Sequence, residues 1–282
     1  AQRSWIYRAA KNIDCTVAFG SSKDLTKPGA IIFVNTPYPT LDEDAVENSA
    51  IIIGPDCPTP FSTKSIVNIS GMSYGALSKP AVRALSNGAK LAGCWMNTGE
   101  GGLSSWHLEG GCDIVFQIGT AKYGVRDAQG KLSAEKLRQI AAHENVRMFE
   151  LKLSQGAKPG KGGILPAAKV SAEIAAIRGI PEGEASISPN RHPEIKCAGD
   201  LLDMIDTIRT ITGKPTGFKA VLGSPDWLDE LFTEIKQRGA ASAPDFITLD
   251  SADGGTGAAP MSLIDDVGLP IRESLPLLVD KL

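Results

Sequence analysis

From residue 65 onward, short apolar runs alternate with longer stretches whose apolar positions recur every three or four residues. Runs of strand length fall at residues 66–70, 95–97, 113–119, 148–153, 217–222 and 246–250, with a shorter one at 185–188. Helical patterns lie between several of them, at 78–92, 133–143, 167–178, 197–211 and 226–238, and a last one follows at 274–281. Ser78 stands at the cap position of the first helix, with Pro80 early in its first turn, where a missing N–H is harmless. Ser133 opens the second helix as Ser-Ala-Glu-Lys. Strands that alternate with helices predict parallel βαβ units. Residues 1–64 lack this rhythm. Pro28, Pro37, Pro39, Pro55, Pro58 and Pro60 break them into pieces, with candidate short strands at 30–34 and 50–53. The chain therefore reads as an irregular flanking segment, 1–64, followed by an α/β domain, 65–282.

An open doubly wound sheet and a (β/α)8 barrel both fit that alternation, and the loops discriminate. An open sheet gathers its ligand contacts at one switch point. A barrel brings the C-terminal end of every strand to one mouth. Here small and polar residues follow strand after strand, at 71–75, 97–102, 117–120, 155–163 and 253–257. The predicted fold is an α/β (β/α)8 TIM-type barrel. The last secure strand ends at Asp250 and two more would be needed, so the barrel is expected to be incomplete at its C-terminus.

Composition narrows the function classes. At 282 residues, 42% hydrophobic and 22% charged, the chain has the make-up of a globular protein with a sizeable core. A net charge of −3 gives no basic footprint, so no nucleic-acid partner is expected. No apolar run reaches the roughly 18 residues of a membrane span. Cys15, Cys57, Cys94, Cys112 and Cys197 and the 3 histidines lack Cys-x-x-Cys or His-rich spacing. That speaks against a metal site and for a reducing, cytoplasmic setting.

The stretch ELKLSQGAKPGKGGILPAAKV, residues 150–170, concentrates candidate chemistry. Period-two alternation sets Glu150, Lys152 and Ser154 on one side and Leu151 and Leu153 on the other. With the leucines against surrounding helices, Lys152 points into the barrel, where a desolvated ammonium needs an anion. Gln155 and Lys158 extend that surface, glycines let a ligand approach the backbone, and Lys169 follows in the next helix. Lys161 reads as a solvated loop cation. Lys219, alone in Gly-Phe-Lys-Ala-Val, is a second inward cation or a lysine that snorkels to solvent. Glu100 lies in a loop that Gly99, Gly101 and Gly102 hold open, either exposed or placed for proton transfer. Gln117 and Thr120 end the third strand, and a primary amide can both donate and accept. Asp253-Gly254-Gly255-Thr256-Gly257 is a nest of backbone N–H groups or a structural Asp–Gly turn.

The strings GMSYGALS (71–78), NTGEGG (97–102), QIGTAKYGV (117–125), KLSQGAKPGKGG (152–163) and DGGTGAAP (253–260), with QRSWIYRAAKN (2–12), carry a resemblance. In series they resemble the FMN-binding synthase domain of glutamate synthases, especially the shorter FMN-binding glutamate synthase family proteins. The resemblance covers nearly the whole chain. It implies a barrel with FMN across its mouth and an oxidoreductase that makes L-glutamate. The 2-iminoglutarate formed from 2-oxoglutarate and ammonia would take hydride from the reduced flavin.

By the same resemblance Met72, Ser73 and Tyr74 would face the flavin, with Asn97, Gln117 and Thr120 as further cofactor contacts. Lys219 would stand at the N1–C2 edge of the ring. Asp253, Gly254, Gly255, Thr256 and Gly257 would serve its ring, ribityl or phosphate side, with Asp253 also able to orient Lys152 or Lys219. Lys152, Gln155 and Lys169 would hold the substrate, and Glu100 would handle ammonia or a proton. The chain departs from the family pattern at Lys122, usually arginine, at Lys161, commonly glutamate, and around His192, where a Pro-Pro-Pro-His-His run is frequent. Complete glutamate synthases add a glutaminase domain and a 3Fe-4S cluster whose cysteines are not in this chain. Separate glutaminase and electron-donor polypeptides, or further parts of the same one, are implied. Shorter members often carry an N-terminal membrane segment, which would precede Ala1. Two alternatives stand beside this reading: another FMN barrel oxidoreductase or methylglutamate-synthase-like component, and a flavin-free partial barrel acting as an interaction module.

Overall fold

A computed structural model of the chain describes residues 2–13, 20–21, 24, 26, 34–47 and 49–282. The chain divides into two compact units, Ala1–Val46 and Glu47–Leu282. The first contains helix α1 (Gln2–Ala10) and a 3-10 turn at Asp42–Asp44. The strand expected at 30–34 lies, apart from Val34, outside the described residues.

The second unit opens with an antiparallel hairpin of β1 (Ile51–Ile53) and β2 (Phe61–Thr63). There follow α2 (Lys79–Ala92), β3 (Met96–Asn97), a short α3 (Ser105–Leu108), β4 (Ile114–Ile118) and α4 (Ala134–Ala141). After β5 (Val146–Lys152) come β6 (Ile164–Leu165), α5 (Ala172–Arg178), β7 (Ser186–Ile187) and α6 (Ala198–Thr212). The chain continues through β8 (Thr216–Val221), α7 (Asp226–Arg238), β9 (Ile247–Asp250), α8 (Met261–Asp266) and α9 (Ile271–Val279). Ser133 caps α4 by accepting the Lys136 N–H, and the left-handed Gly213 closes α6. No helix among the described residues is long and apolar enough to cross a membrane.

Five strands form one parallel sheet in the order β3-β4-β5-β8-β9. The order never reverses, so the sheet has no switch point. The strands of this sheet lie side by side in their chain order, with only the separate β6–β7 ribbon inserted, as in a barrel and unlike a doubly wound sheet. The architecture is α/β, an incomplete TIM-type barrel.

Three expected elements differ. The run at 66–70 contributes a single bridge, Ile69 to Met96, with the Ile69 N–H donating to Trp95 O at 3.0 Å. Just before it, Ser65 Oγ donates to the Val67 carbonyl and Asn68 Nδ2 to the Ser65 carbonyl. Those local bonds compete with extended pairing. The run at 185–188 forms β7, which pairs with β6 in a separate antiparallel ribbon. The helix expected over 167–178 is split. A 3-10 turn covers Ala167–Lys169, and α5 starts anew after Ser171, whose Oγ accepts the Ile174 N–H.

Period-two alternation sorts the sheet's side chains. Phe116, Ile118, Phe149, Leu151 and Phe218 pack with Leu137 of α4 and Leu202 and Ile205 of α6. On the other face, Val115, Met148 and Phe246 pack with Phe61, so the hairpin closes the N-terminal end of the sheet. On that inner face the next residues toward the strand C-termini are Gln117, Glu150 and Thr248, and Lys152 and Asp250 follow the last two.

Candidate active site

A cavity of about 400 Å³ opens at the C-terminal ends of the parallel strands. Lys152 ends β5, and its register partner on β8 is Lys219. Two ammonium groups side by side and nearly buried need counter-charge. Each has it: Lys152 Nζ lies 3.3 Å from Glu100 Oε1, and Lys219 Nζ lies 3.3 Å from Asp250 Oδ2. Lys152 also donates to Gln155 Oε1 at 3.0 Å. Lys158 and Arg178, both buried, add two further cations to the wall. Arg178 donates to Ser186 Oγ at 3.0 Å and stacks 5.1 Å from the Tyr123 ring, yet its buried Nε has no partner among the described residues. Four cations thus face two carboxylates, which leaves a positive site fit for an anion.

These contacts perturb the titrations. Burial, together with Lys219 and Lys158, outweighs the Glu100 pair and pushes Lys152 down to about 8. Burial lowers Lys158 as well. For Glu100, burial acts upward, but Lys152, Lys158 and Lys219 prevail and hold its carboxyl below the usual range. The Glu100 seat depends on two glycines. A Cβ on Gly163 would lie 2.1 Å from Glu100 Oε1, and one on Gly119 would lie 2.6 Å from Oε2.

Beneath the cavity floor lies a polar cluster. Glu150 Oε1 accepts from Asn97 Nδ2 at 2.9 Å and from Gln117 Nε2 at 2.7 Å, and Oε2 accepts from Thr248 Oγ1 at 2.5 Å. Asn97 Oδ1 accepts the Gly99 N–H at 2.9 Å. Behind the Met72 loop, His107 Nε2 is 2.8 Å from the Met72 carbonyl and donates to it, because a carbonyl only accepts.

Most of the site residues expected from sequence meet in this cavity. Met72 and Ser73 line one wall, and Glu100, Gln117, Lys152, Gln155 and Lys219 the floor and centre. Gly254, Gly255, Thr256 and Gly257 form a rim. Others stand elsewhere. Tyr74 donates its hydroxyl to Glu173 at 2.6 Å, and Asn97 lies under the floor. Thr120 donates to the Pro189 carbonyl at 2.7 Å and lines a small adjoining cleft with Glu100, Lys152 and Gln155. Lys169 is exposed on its 3-10 turn, outside the cavity wall, because the expected helix is broken there. Asp253 is exposed and accepts from Ser251 Oγ. The carboxylate paired with Lys219 is Asp250, three residues earlier.

Sequence reasoning passed over Asp250, Arg178 and the hub role of Glu150. Asp250 shares the parity of Thr248 on β9, a usable signal. Arg178, in the last turn of α5, looks like any cation at a helix C-terminus. Of the departures from the family pattern, Lys122 is buried, takes a left-handed φ of 54° and pairs with Glu194 at 2.9 Å. His192 donates from Nε2 to the Lys152 carbonyl at 3.0 Å, and burial with the nearby Lys122 pushes it down to about 4.

Fold and site together define a class: a parallel α/β partial barrel with a cationic small-molecule pocket at its strand tips. Residues 15–282 match the family described as the conserved region in glutamate synthase. The chain is 48% identical over 222 residues to the glutamate synthase large subunit-like protein YerD of Bacillus subtilis, across 78% of this chain and 42% of that protein. It is 34% identical to an archaeal-type glutamate synthase (NADPH) of Dehalococcoides mccartyi, across 81% of this chain and 41% of that protein. Identity to an archaeal glutamate synthase (NADPH) of Methanocaldococcus jannaschii is 37%, across 74% and 38% respectively. The chain belongs to the glutamate synthase family. It spans less than half the length of these curated relatives.

Proposed function

We propose that this chain carries the synthase site of an FMN-dependent oxidoreductase that converts 2-oxoglutarate and ammonia into L-glutamate. The observation that carries the reading is the convergence of Lys152, Lys158, Arg178 and Lys219 with Glu100 on one cavity. Its volume falls within the roughly 300–1,000 Å³ of small-molecule sites. The unpartnered Arg178 Nε and the excess of cations fit a ligand rich in anionic acceptors. FMN, when bound, would supply the hydride chemistry. Lys219, held by Asp250, would stabilise negative charge at the ring edge, with the Met72–Ser73 backbone and Gln117 as further contacts.

A dicarboxylate suits the remaining cations. Arg178 offers the planar fork that binds a carboxylate in two-point fashion. Lys152, with Gln155, and Lys158 would hold the other end. Addition of ammonia to the 2-oxo carbon and loss of water give the imine. Hydride then goes to carbon and a proton to nitrogen. Glu100, ionised next to Lys152, would take the proton released on ammonia addition, and Lys152 is near enough to neutrality to donate one. Ammonia and electrons would come from separate glutaminase and electron-donor polypeptides. The free Cys57, Cys94, Cys112 and Cys197 support a reducing, cytoplasmic setting.

Lys161, where the family commonly has glutamate, is exposed and lines the small adjoining cleft, not the main cavity. The test is direct. The full protein, reduced anaerobically with FMN bound, is offered 2-oxoglutarate with ammonia. Reoxidation of the flavin with formation of glutamate is expected, and a flavin that stays reduced sinks the reading.

A further inference from the structure

The floor of the cavity holds a carboxylate that the proposed chemistry does not use. Glu150 is 2% exposed and does not line the cavity itself. Its oxygens receive the Asn97 amide, the Gln117 amide and the Thr248 hydroxyl. A carboxylate accepts and does not donate, so both amides must turn their NH2 groups toward it. Asn97 is then engaged at both its NH2 and its carbonyl, since its Oδ1 already accepts from Gly99. Gln117 is not. It lines the cavity, and none of the described residues donates to its Oε1. The reverse flip would set the Gln117 carbonyl against the carboxylate and present NH2 to the cavity.

We infer that Glu150 is a specificity-determining positioning residue. It fixes the Gln117 amide so that the cavity is offered an acceptor, which selects a ligand bringing a ring N–H to that point. In the proposed cofactor this is the imide N–H between the two pyrimidine carbonyls of the flavin. The inference deepens the FMN reading and rests on it.

The full protein is titrated with FMN and with 3-methyl-FMN, which lacks that N–H, by the quenching of flavin fluorescence. Wild type binds FMN at least about tenfold more tightly than the methylated flavin, because the analogue leaves a buried acceptor unpaired. In Glu150→Gln the new amide can donate as well as accept, so Gln117 is free to flip, and the ratio drops to about threefold or less. Gln117→Leu removes the acceptor and abolishes the preference, which decides the matter if Glu150→Gln does not fold. A Glu150→Gln protein that binds both flavins more weakly at an unchanged ratio marks a merely structural role and overturns the inference. So does a wild type that binds the two flavins equally. A wild type that binds neither flavin is a different result, for it removes the FMN reading itself.

Discussion

With Glu100 3.3 Å away and Lys219 as its register partner, Lys152 changes charge at about pH 8. An anion is held by the protonated form. Affinity for an anionic ligand is therefore full below that value and falls as the pH rises through it. Sulfate or 2-oxoglutarate titrated from about pH 6.5 to 9.5 should show this inflection, and Lys152→Met should remove it. A flat wild-type profile across pH 8 contradicts the assignment. Gly163 tests the carboxylate half of the pair. Because an added Cβ would meet Glu100 Oε1 at 2.1 Å, Gly163→Ala must move Glu100 away from Lys152 or strain the loop. The expected cost is about 1–3 kcal/mol in denaturant unfolding. The binding inflection should also shift below pH 8, since Lys152 loses the partner that supports its charge. An unchanged midpoint and inflection would show that Glu100 does not need the space.

At the scale of elements, the β1–β2 hairpin is a structural part of the second unit. Phe61 is 2% exposed against Val115 and Met148, so Phe61→Ala should cost about 3–5 kcal/mol in urea unfolding. A loss below about 1 kcal/mol would mean that the hairpin merely lies alongside the sheet. The hairpin's lower surface is tied as well, through Cys57 Sγ at 3.7 Å from Asp245, which Arg209 pairs at 3.0 Å. Strand parity was the legible part of this level. Leu151 faces the helices while Glu150 and Lys152 face inward, as alternation requires. Breaks within elements were less legible. Ser171 reads equally well as a residue inside one long helix or as the cap of a second. The cap leaves Lys169 exposed, while Arg178 of the same segment lines the cavity. Asp250 and Glu100 reach their lysines through contacts far apart in sequence, which no local pattern encodes.

For the molecule as a whole, the strand order β3-β4-β5-β8-β9 explains why loops distant in sequence share one site. Each parallel strand delivers its C-terminal loop to the same end, so small and polar residues recurring after successive strands were a readable sign of a barrel mouth. How charges pair inside that mouth depends on side chains from several strands at once and was not readable. The central claim is that the cavity lined by Lys219 binds a flavin. Binding of FMN to the full protein, compared among wild type, Lys219→Met and Lys161→Met, tests it most directly. Lys161 is the control, exposed and lining the adjoining cleft rather than the main cavity. The account predicts stoichiometric binding by wild type, a loss of at least about tenfold in Lys219→Met and a change within about twofold in Lys161→Met. Absence of flavin binding, or equal effects of the two substitutions, would contradict it.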